Sequence, residues 1–295
     1  YMLRQGDCRF EINVNGKDIC VMSRSSTALS EIIDVVRRLL LADTSEIYEL
    51  ELRNEGRTTR SEVFFDSPNF AYLVEQCQNL KALRLECLVF LNEDRFRALG
   101  ALSRPGLEVE LKYCRITGAP ATVLAQLLGR NQGPTKLDLC EIDNSVFADG
   151  LRGNSRLKSF KPDISHSLEV ADQEVLAIAG ALRENKGLVD LNLNSCWVSD
   201  ETWNAICDSL KTHPTLEILN LSMTYQNAAT TPAVITLRIQ ALLDMMKVNM
   251  SIHTMSLNDQ YSEHELYRRS VIPYLETNRL RPRLLAIQRT RPTLY

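Results

Sequence analysis

The 295-residue chain carries 34 basic and 37 acidic side chains, a formal net charge of −3, and is 44% apolar and 24% charged. These proportions are those of a folded, water-soluble protein and give no global pull toward nucleic acid or membrane. No apolar run approaches the roughly 18 residues that span a bilayer, and aromatics at 6% beside abundant leucine suit a leucine-lined solenoid better than a compact enzyme core.

Eight cysteines stand at positions 8, 20, 77, 87, 114, 140, 196 and 207 with no Cys-x-x-Cys pair, so a structural zinc site is not expected. Several follow a strand motif or sit on an apolar helix face, where a thiol behaves as a small hydrophobe. They are expected to be free and buried, in a reducing, cytoplasmic compartment. The opening Tyr1-Met2-Leu3-Arg4 shows no signal-peptide pattern and no initiator at position 1, which leaves room for a fragment.

Residues 8–22 read as a hairpin. Phe10, Ile12 and Val14 alternate, Asn15-Gly16 is a favoured tight-turn dipeptide, and Ile19 and Val21 alternate back. Residues 27–41 then place Leu29, Ile32, Ile33, Val36, Leu39 and Leu40 on one side of a helix. A ubiquitin-like domain opens in the same way. The shortness of the segment and the immediate onset of repeats favour a cap over residues 1–45, because a first repeat has no neighbour to cover its core.

The repeats occupy residues 46–260. Their apolar pairs, two residues apart, are Leu50/Leu52, Leu83/Leu85, Val109/Leu111, Leu137/Leu139, Phe160/Pro162, Leu191/Leu193, Leu219/Leu221 and Met255/Leu257. Each pair points to one face of a short strand. Successive gaps of 33, 26, 28, 23, 31, 28 and 36 average about 29. The fifth pair is irregular because Pro162 cannot donate to a ladder. Helical stripes fill the gaps over residues 70–77, 96–102, 121–128, 146–151, 170–182, 203–210 and 234–246, with Ser199 or Asp200 capping one of them. Residues 263–278 read as a final helix, and Arg279-Leu280-Arg281-Pro282-Arg283 opens an exposed basic tail, so residues 261–295 form the second cap.

The segments Leu188-x-x-Leu191-x-Leu193-x-x-Cys196-x-Val198 and Val109-x-Leu111-x-x-Cys114-x-Ile116-Thr117 resemble the leucine-rich repeats of the ribonuclease-inhibitor type. The resemblance implies an α/β solenoid of about eight repeats, a horseshoe with a parallel β-sheet on the concave side and helices on the convex side. It also implies that Cys114 and Cys196 satisfy backbone groups in the turn after the strand. Asn192 and Asn194 lie outside that position and are left freer for ligands.

Enzyme motifs are absent: no Gly-x-Gly-x-x-Gly, Walker loop, His-Glu-x-x-His or Gly-x-Ser-x-Gly. His166, His213, His253 and His264 share no ligand spacing. His213 follows a helix end, where an imidazole interacts favourably with the last carbonyls, and His264 opens a solvated first turn. No metal and no cofactor is expected. What remains is the outward face of the strands. Its N-terminal part is charged: Glu49, Glu51, Arg53, Arg84, Glu86, Glu108, Glu110, Lys112, Lys136 and Asp138. Its later part is neutral: Asn192, Asn194, Asn220, Ser222, Ser256 and Asn258, with Tyr225 opening the segment 225–232 after the seventh strand, where the gap runs about seven residues over the mean period.

The expected function is non-catalytic protein–protein recognition on the concave face, as adaptor, inhibitor or sensor, by a chain that is monomeric on its own. A GTPase-activating leucine-rich-repeat regulator is the rival, weakened by a basic rather than acidic C-terminus. Nucleic-acid binding through Arg268, Arg269, Arg279, Arg281, Arg283, Arg289 and Arg291 is a third reading; solvated cap residues are the plainer account of that cluster.

Overall fold

The computed structural model describes residues 2–5, 8–12, 18–23, 48–54, 80–90, 93, 97, 99–100, 103–116, 118–141, 144–164, 167–194, 198–222 and 231–290. Two compact units divide the chain, residues 1–163 and 164–295. Both are α/β, built of parallel strands and the helices that follow them.

The first unit begins with β1 (Met2–Gln5), β2 (Cys8–Ile12) and β3 (Asp18–Ser23). The expected pairing of β2 with β3 is present, antiparallel, with Phe10 beside Val21 and Ile12 beside Ile19. The turn dipeptide Asn15-Gly16 and the helix expected over residues 27–41 lie outside the described residues. β1 is an addition, antiparallel to β2 with Gln5 beside Cys8. Its sequence signal is the intervening Gly6-Asp7, a pair favoured in two-residue hairpin loops.

β3 is also the first strand of the parallel run. It pairs with β4 (Glu49–Asn54), β4 with β5 (Ala82–Glu86), β5 with β7 (Glu108–Ile116), β7 with β8 (Lys136–Glu141), and β8 with β9 (Ser159–Lys161). A two-residue strand, β6 (Val89–Phe90), pairs with the end of β7. Alternation then works as the period of two requires. Leu50, Leu52, Leu83, Leu85, Val109, Leu111 and Leu137 are all buried on one side. Leu50, Leu83 and Val109 lie in register, as the repeat alignment predicts.

The alignment fails at the next step. Leu137 pairs with Leu111 rather than Val109, and the register shifts at Lys112/Cys114, around Tyr113. A slip of two keeps every side chain on its face, so spacing alone could not reveal it. The extra residue is absorbed as a bulge in β7. Phe160 is buried in β9, and the strand ends before Pro162, which cannot continue it.

Helices α1 (Ala119–Gly129) and α2 (Asn144–Leu151) cover the apolar side. A Cβ on Gly150 would run into the carbonyl of Ala125, so glycine there sets how closely the two helices approach. Residues of the stripes expected over 70–77 lie outside the described set; of the next stripe, Arg97, Leu99 and Gly100 are helical.

The second unit repeats the plan: α3 (Leu168–Leu182), β10 (Asp190–Asn192), α4 (Asp200–Leu210), β11 (Ile218–Asn220), α5 (Pro232–Met246) and β12 (Thr254–Ser256). Leu191, Leu219 and Met255 are in register. The upstream residues Leu188, Leu216 and Ile252 are each fully buried. Ser199 caps α4, its hydroxyl accepting from the Thr202 N–H. Buried Arg238 binds Asp200 at 2.6 Å and the Val198 carbonyl at 3.0 Å, over the Trp203 ring.

A polar position six residues before the strand anchor recurs through both units. The side chains of Asn154, Asn185 and Asn249 accept from the N–H three residues on, at Leu157, Leu188 and Ile252. Asn154 and Asn249 also donate to the preceding repeat's last helix carbonyls, Leu128 and Leu210. His213 takes this position between Leu210 and Leu216. Its Nδ1 accepts from the Leu216 N–H at 3.2 Å, while Nε2 is buried without a hydrogen bond. The expectation that the imidazole interacts with the last helix carbonyls is therefore corrected: it accepts a turn N–H instead, and burial draws its pKa down to about 4.

After α6 (Asp259–Ser262), a π-helical turn (Tyr267–Val271) leads into α7 (Ile272–Thr290). The last helix runs through Pro282, so Arg279, Arg281, Arg283 and Arg289 stand on a helix, not on the tail expected there.

Two outcomes follow for stability. Leu191→Ala should cost about 2–5 kcal/mol in denaturant melts, as buried leucines do, against about 1 kcal/mol for Asn192→Ala, which loses one turn hydrogen bond; equal losses would disprove the register. For His213, the unfolded imidazole protonates near its ordinary 6.5 while the folded one stays neutral to about 4. The unfolded state thus binds more protons in that window, and the stability involved is intact above pH 6.5 and lost as pH falls toward 4. His213→Asn, restoring the residue used by the neighbouring repeats, should flatten this acid decline; parallel melting curves of the two proteins from pH 7 to 4.5 would refute it.

Candidate functional site

The side of the strands away from the helices carries the outward residues singled out from sequence. On the first unit Glu49, Glu51 and Arg53 stand on β4, Arg84 and Glu86 on β5, Glu108, Glu110 and Lys112 on β7, and Lys136 and Asp138 on β8. The parallel register sorts them into two rows. One runs Glu51, Arg84, Glu110, Lys136; the other runs Arg53, Glu86, Lys112, Asp138, Lys161. Along both rows the sign alternates from strand to strand.

The charges close on one another. Arg84 binds Glu49 at 2.6 Å and Glu110 at 3.4 Å, and the hydrogen bond it donates to Glu49 raises the pKa of its guanidinium above the ordinary value. Glu86 lies between Arg53 at 3.6 Å and Lys112 at 3.4 Å. Lys136 meets Glu108 at 3.2 Å and Lys161 meets Asp138 at 3.0 Å. With Glu49 and Glu108 beside the rows, six carboxylates stand among five cations, so the face has a patterned potential and little net field. Such a pattern favours register and partner discrimination over long-range steering. Glu86, expected to be a solvated docking residue, is only 7% exposed; its two cations make that burial tolerable.

Where the second row ends, the surface changes. Tyr113, at the β7 bulge, has φ 53° and is 43% exposed. The ammonium groups of Lys112 and Lys161 lie 5.2 and 5.1 Å from its ring centroid. Asp138 binds Lys161 through Oδ2, while its Oδ1 is buried and has no hydrogen-bond partner. Sequence reading passes over Tyr113 and Lys161. The signal for Tyr113 is the two-residue gap between Leu111 and Cys114, which breaks a period of two and demands a bulge. Lys161 is hidden by the irregular Phe160/Pro162 pair.

The second unit's face is neutral and short. Asn192, Asn220 and Ser256 form one row. Asn192 and Asn220 are not idle: each side-chain oxygen accepts the N–H two residues on, at Asn194 (3.0 Å) and Ser222 (2.9 Å). The expectation that Asn192 stands outside the turn chemistry is thereby corrected. Asn258 sits at the N-cap of α6. Tyr225 lies outside the described residues.

Cys87, Cys114, Cys140 and Cys207 are free; Cys114 and Cys207 are buried, whereas Cys87 is half-buried and Cys140 exposed, which corrects the expectation of burial for those two. Cys114 donates to the Leu85 carbonyl at 3.2 Å, the turn role its position implies; Cys196 lies outside the described residues. Burial raises the Cys114 and Cys207 thiols to about 12 and Cys140 to about 11, so these three remain protonated and poor nucleophiles at neutral pH. Among the described residues no group of three or more His, Cys, Asp or Glu side chains is placed to hold a metal ion, and no helix is long and apolar enough to cross a membrane.

No family model matches the chain, and no curated protein matches it in sequence. Among solved structures, Leiomodin-1 Actin-Binding Site 2 (ABS2) aligns with a TM-score of 0.46 at 21% identity, over 57% of this chain and 94% of that one.

The charge rows make a test of their own. Glu86→Gln removes the shared partner of Arg53 and Lys112 and should cost about 1–3 kcal/mol. Glu51→Gln, on the more open row, should change stability by less than about 0.5 kcal/mol. Equal effects in urea melts would mean the pairs carry no burial-dependent load.

Proposed function

We propose that this chain is a leucine-rich-repeat protein of the ribonuclease-inhibitor type, a horseshoe acting as a non-catalytic recognition module. Its partner is another protein, bound on the open, concave face of the parallel strands. The cysteine usage and buried thiols support a cytoplasmic setting, and the reading requires no cofactor.

The observation that carries this is Tyr113. A non-glycine residue with positive φ costs about 1–2 kcal/mol, and a half-exposed aromatic ring recovers little of that by burial. Strained, exposed and flanked by two lysines, the ring has the size and the polar tip of an interface anchor. The alternating charges beside it supply a polar rim that fixes orientation. The positive φ recurs at Cys87, the matching position after β5 (φ 57°), so the backbone belongs to the strand-end turn; it is the exposed ring between two lysines that supports the reading.

Two substitutions separate the functional role from a structural one. Tyr113→Gly relieves the backbone and should leave stability unchanged or raise it by up to about 1 kcal/mol, while weakening partner binding at least tenfold, about 1.4 kcal/mol. A photo-crosslinking residue at position 113 should capture a discrete partner, and one at Gln126 on the exposed side of α1 should not. Full binding by Tyr113→Gly, with the partner captured instead at position 126, would remove the open face from the function.

A further inference from the structure

The C-terminal end of the second unit holds a groove of about 440 Å³ between the end of α5 and α7. One wall is Met246, Lys247 and Met250; the other is Tyr274, Arg281 and Leu285 of α7. Those three α7 residues are seven and four apart, so they share a face. The floor is rigid. Buried Asn278 donates to the carbonyls of Asn249 and Ile252 at 3.1 and 2.9 Å, and Asn249 in turn donates to the Leu210 carbonyl at 2.7 Å.

The apolar residues of the walls are partly open: Met250 is 57% exposed, Leu285 45% and Tyr274 36%, over a buried Met246. The rim is basic. Lys247 is held by Asp244 at 2.7 Å, whereas Arg281 makes no ion pair among the described residues. Over its length α7 carries four arginines and one acid, Glu276. From Tyr274 to Leu285 the wall extends about 16 Å, at 1.5 Å per helical residue, which matches about three turns of a docked helix.

We infer that this groove is a second docking site, whose occupant is an acidic, amphipathic helical segment of a partner protein. Two or three apolar residues at i, i+3 or i+4 and i+7 lie on Met250, Tyr274 and Leu285, over the buried Met246. A carboxylate beside that stripe meets Arg281. Methionine-lined grooves suit this mode, because the thioether side chains adapt to the knobs of an incoming helix. Charge selects the partner: a basic helix would set like charge against Arg281 and Lys247, so the site discriminates by repulsion as well as attraction.

The test is a displayed library of helical peptides of about fourteen residues, roughly 21 Å long, with the whole chain as bait. Acidic and basic residues are varied together around a fixed i, i+3, i+4, i+7 apolar stripe. Bound peptides should be enriched in Glu and Asp, and their affinity should fall at least tenfold with Arg281→Glu and with Met250→Asp. Leu285→Asp is the second groove variant if Met250→Asp melts low. Tyr113→Gly should leave peptide binding unchanged, which separates this site from the open face. The inference is overturned if selection returns no binder dependent on Arg281 and Met250, or returns basic ones. It is overturned as well if RNA or anionic vesicles bind in an Arg281-dependent way while acidic peptides do not, or if the chain self-associates through Met250.

Discussion

Parallel stacking of similar repeats places each residue beside its counterpart in the next strand, and the rest of the structure answers to that constraint. For apolar residues it is wholly favourable. Leu50, Leu83 and Val109 meet as like on like in the first unit, and Leu191, Leu219 and Met255 do so in the second. Polar residues gain nothing from meeting their own kind. A row of carboxylates about 4.8 Å apart would repel along its whole length. The first unit resolves this by alternating sign, so that Glu51, Arg84, Glu110 and Lys136 form a self-neutralising row. In the second unit the problem is met with neutral side chains whose oxygens are turned to their own backbone, as Asn192 and Asn220 show.

The same stacking explains the hydrogen-bonding side chains under the turns. Each repeat leaves carbonyls at its helix end that its own backbone cannot satisfy, and the following repeat supplies the donors. Asn154 serves Leu128, and Asn249 serves Leu210. Repeats are thus bonded to one another by direct side-chain links as well as by the strand ladder. His213 occupies the slot without the second donor contact that asparagine makes, and the buried, unpaired Nε2 is the result. The unpaired donor is a cost at every pH, to which the low pKa adds a loss on acidification.

The strands and helices were legible because their evidence is local and periodic. Pairs of apolar residues two apart marked β5, β7, β10 and β11, and stripes at helical spacing marked α1, α3, α4 and α5 to within a few residues. What escaped depends on pairing between segments. The slip at β7 keeps both faces intact, so hydrophobicity is blind to it. Arg238 sits inside an apolar helical stripe and reads as an interruption until Asp200, Trp203 and the Val198 carbonyl are seen around it. The candidate face was legible as a list of outward residues and illegible as chemistry. Sequence says that Arg84 and Glu49 face outward, while only the register says that they bind each other. On the proposed reading, the surface open to a partner narrows from the full list to the places where pairing is incomplete, such as Tyr113.

The last described helix poses the complementary question. To close the core it must bury one face, and α7 does so with Leu275 and Asn278, the latter tied back to Asn249 and Ile252. The π-helical turn directly before Pro273 brings the helix in without demanding the N–H that proline lacks. Nothing in that task calls for apolar residues on the other side. Tyr274 and Leu285, opposite the exposed Met250, are nonetheless exposed together and at helical spacing. Independent surface residues have no reason to share a face, whereas residues that line one groove do. The exposed patch is thus one feature rather than three, and its basic rim gives it a chemical preference that exposed hydrophobicity alone lacks.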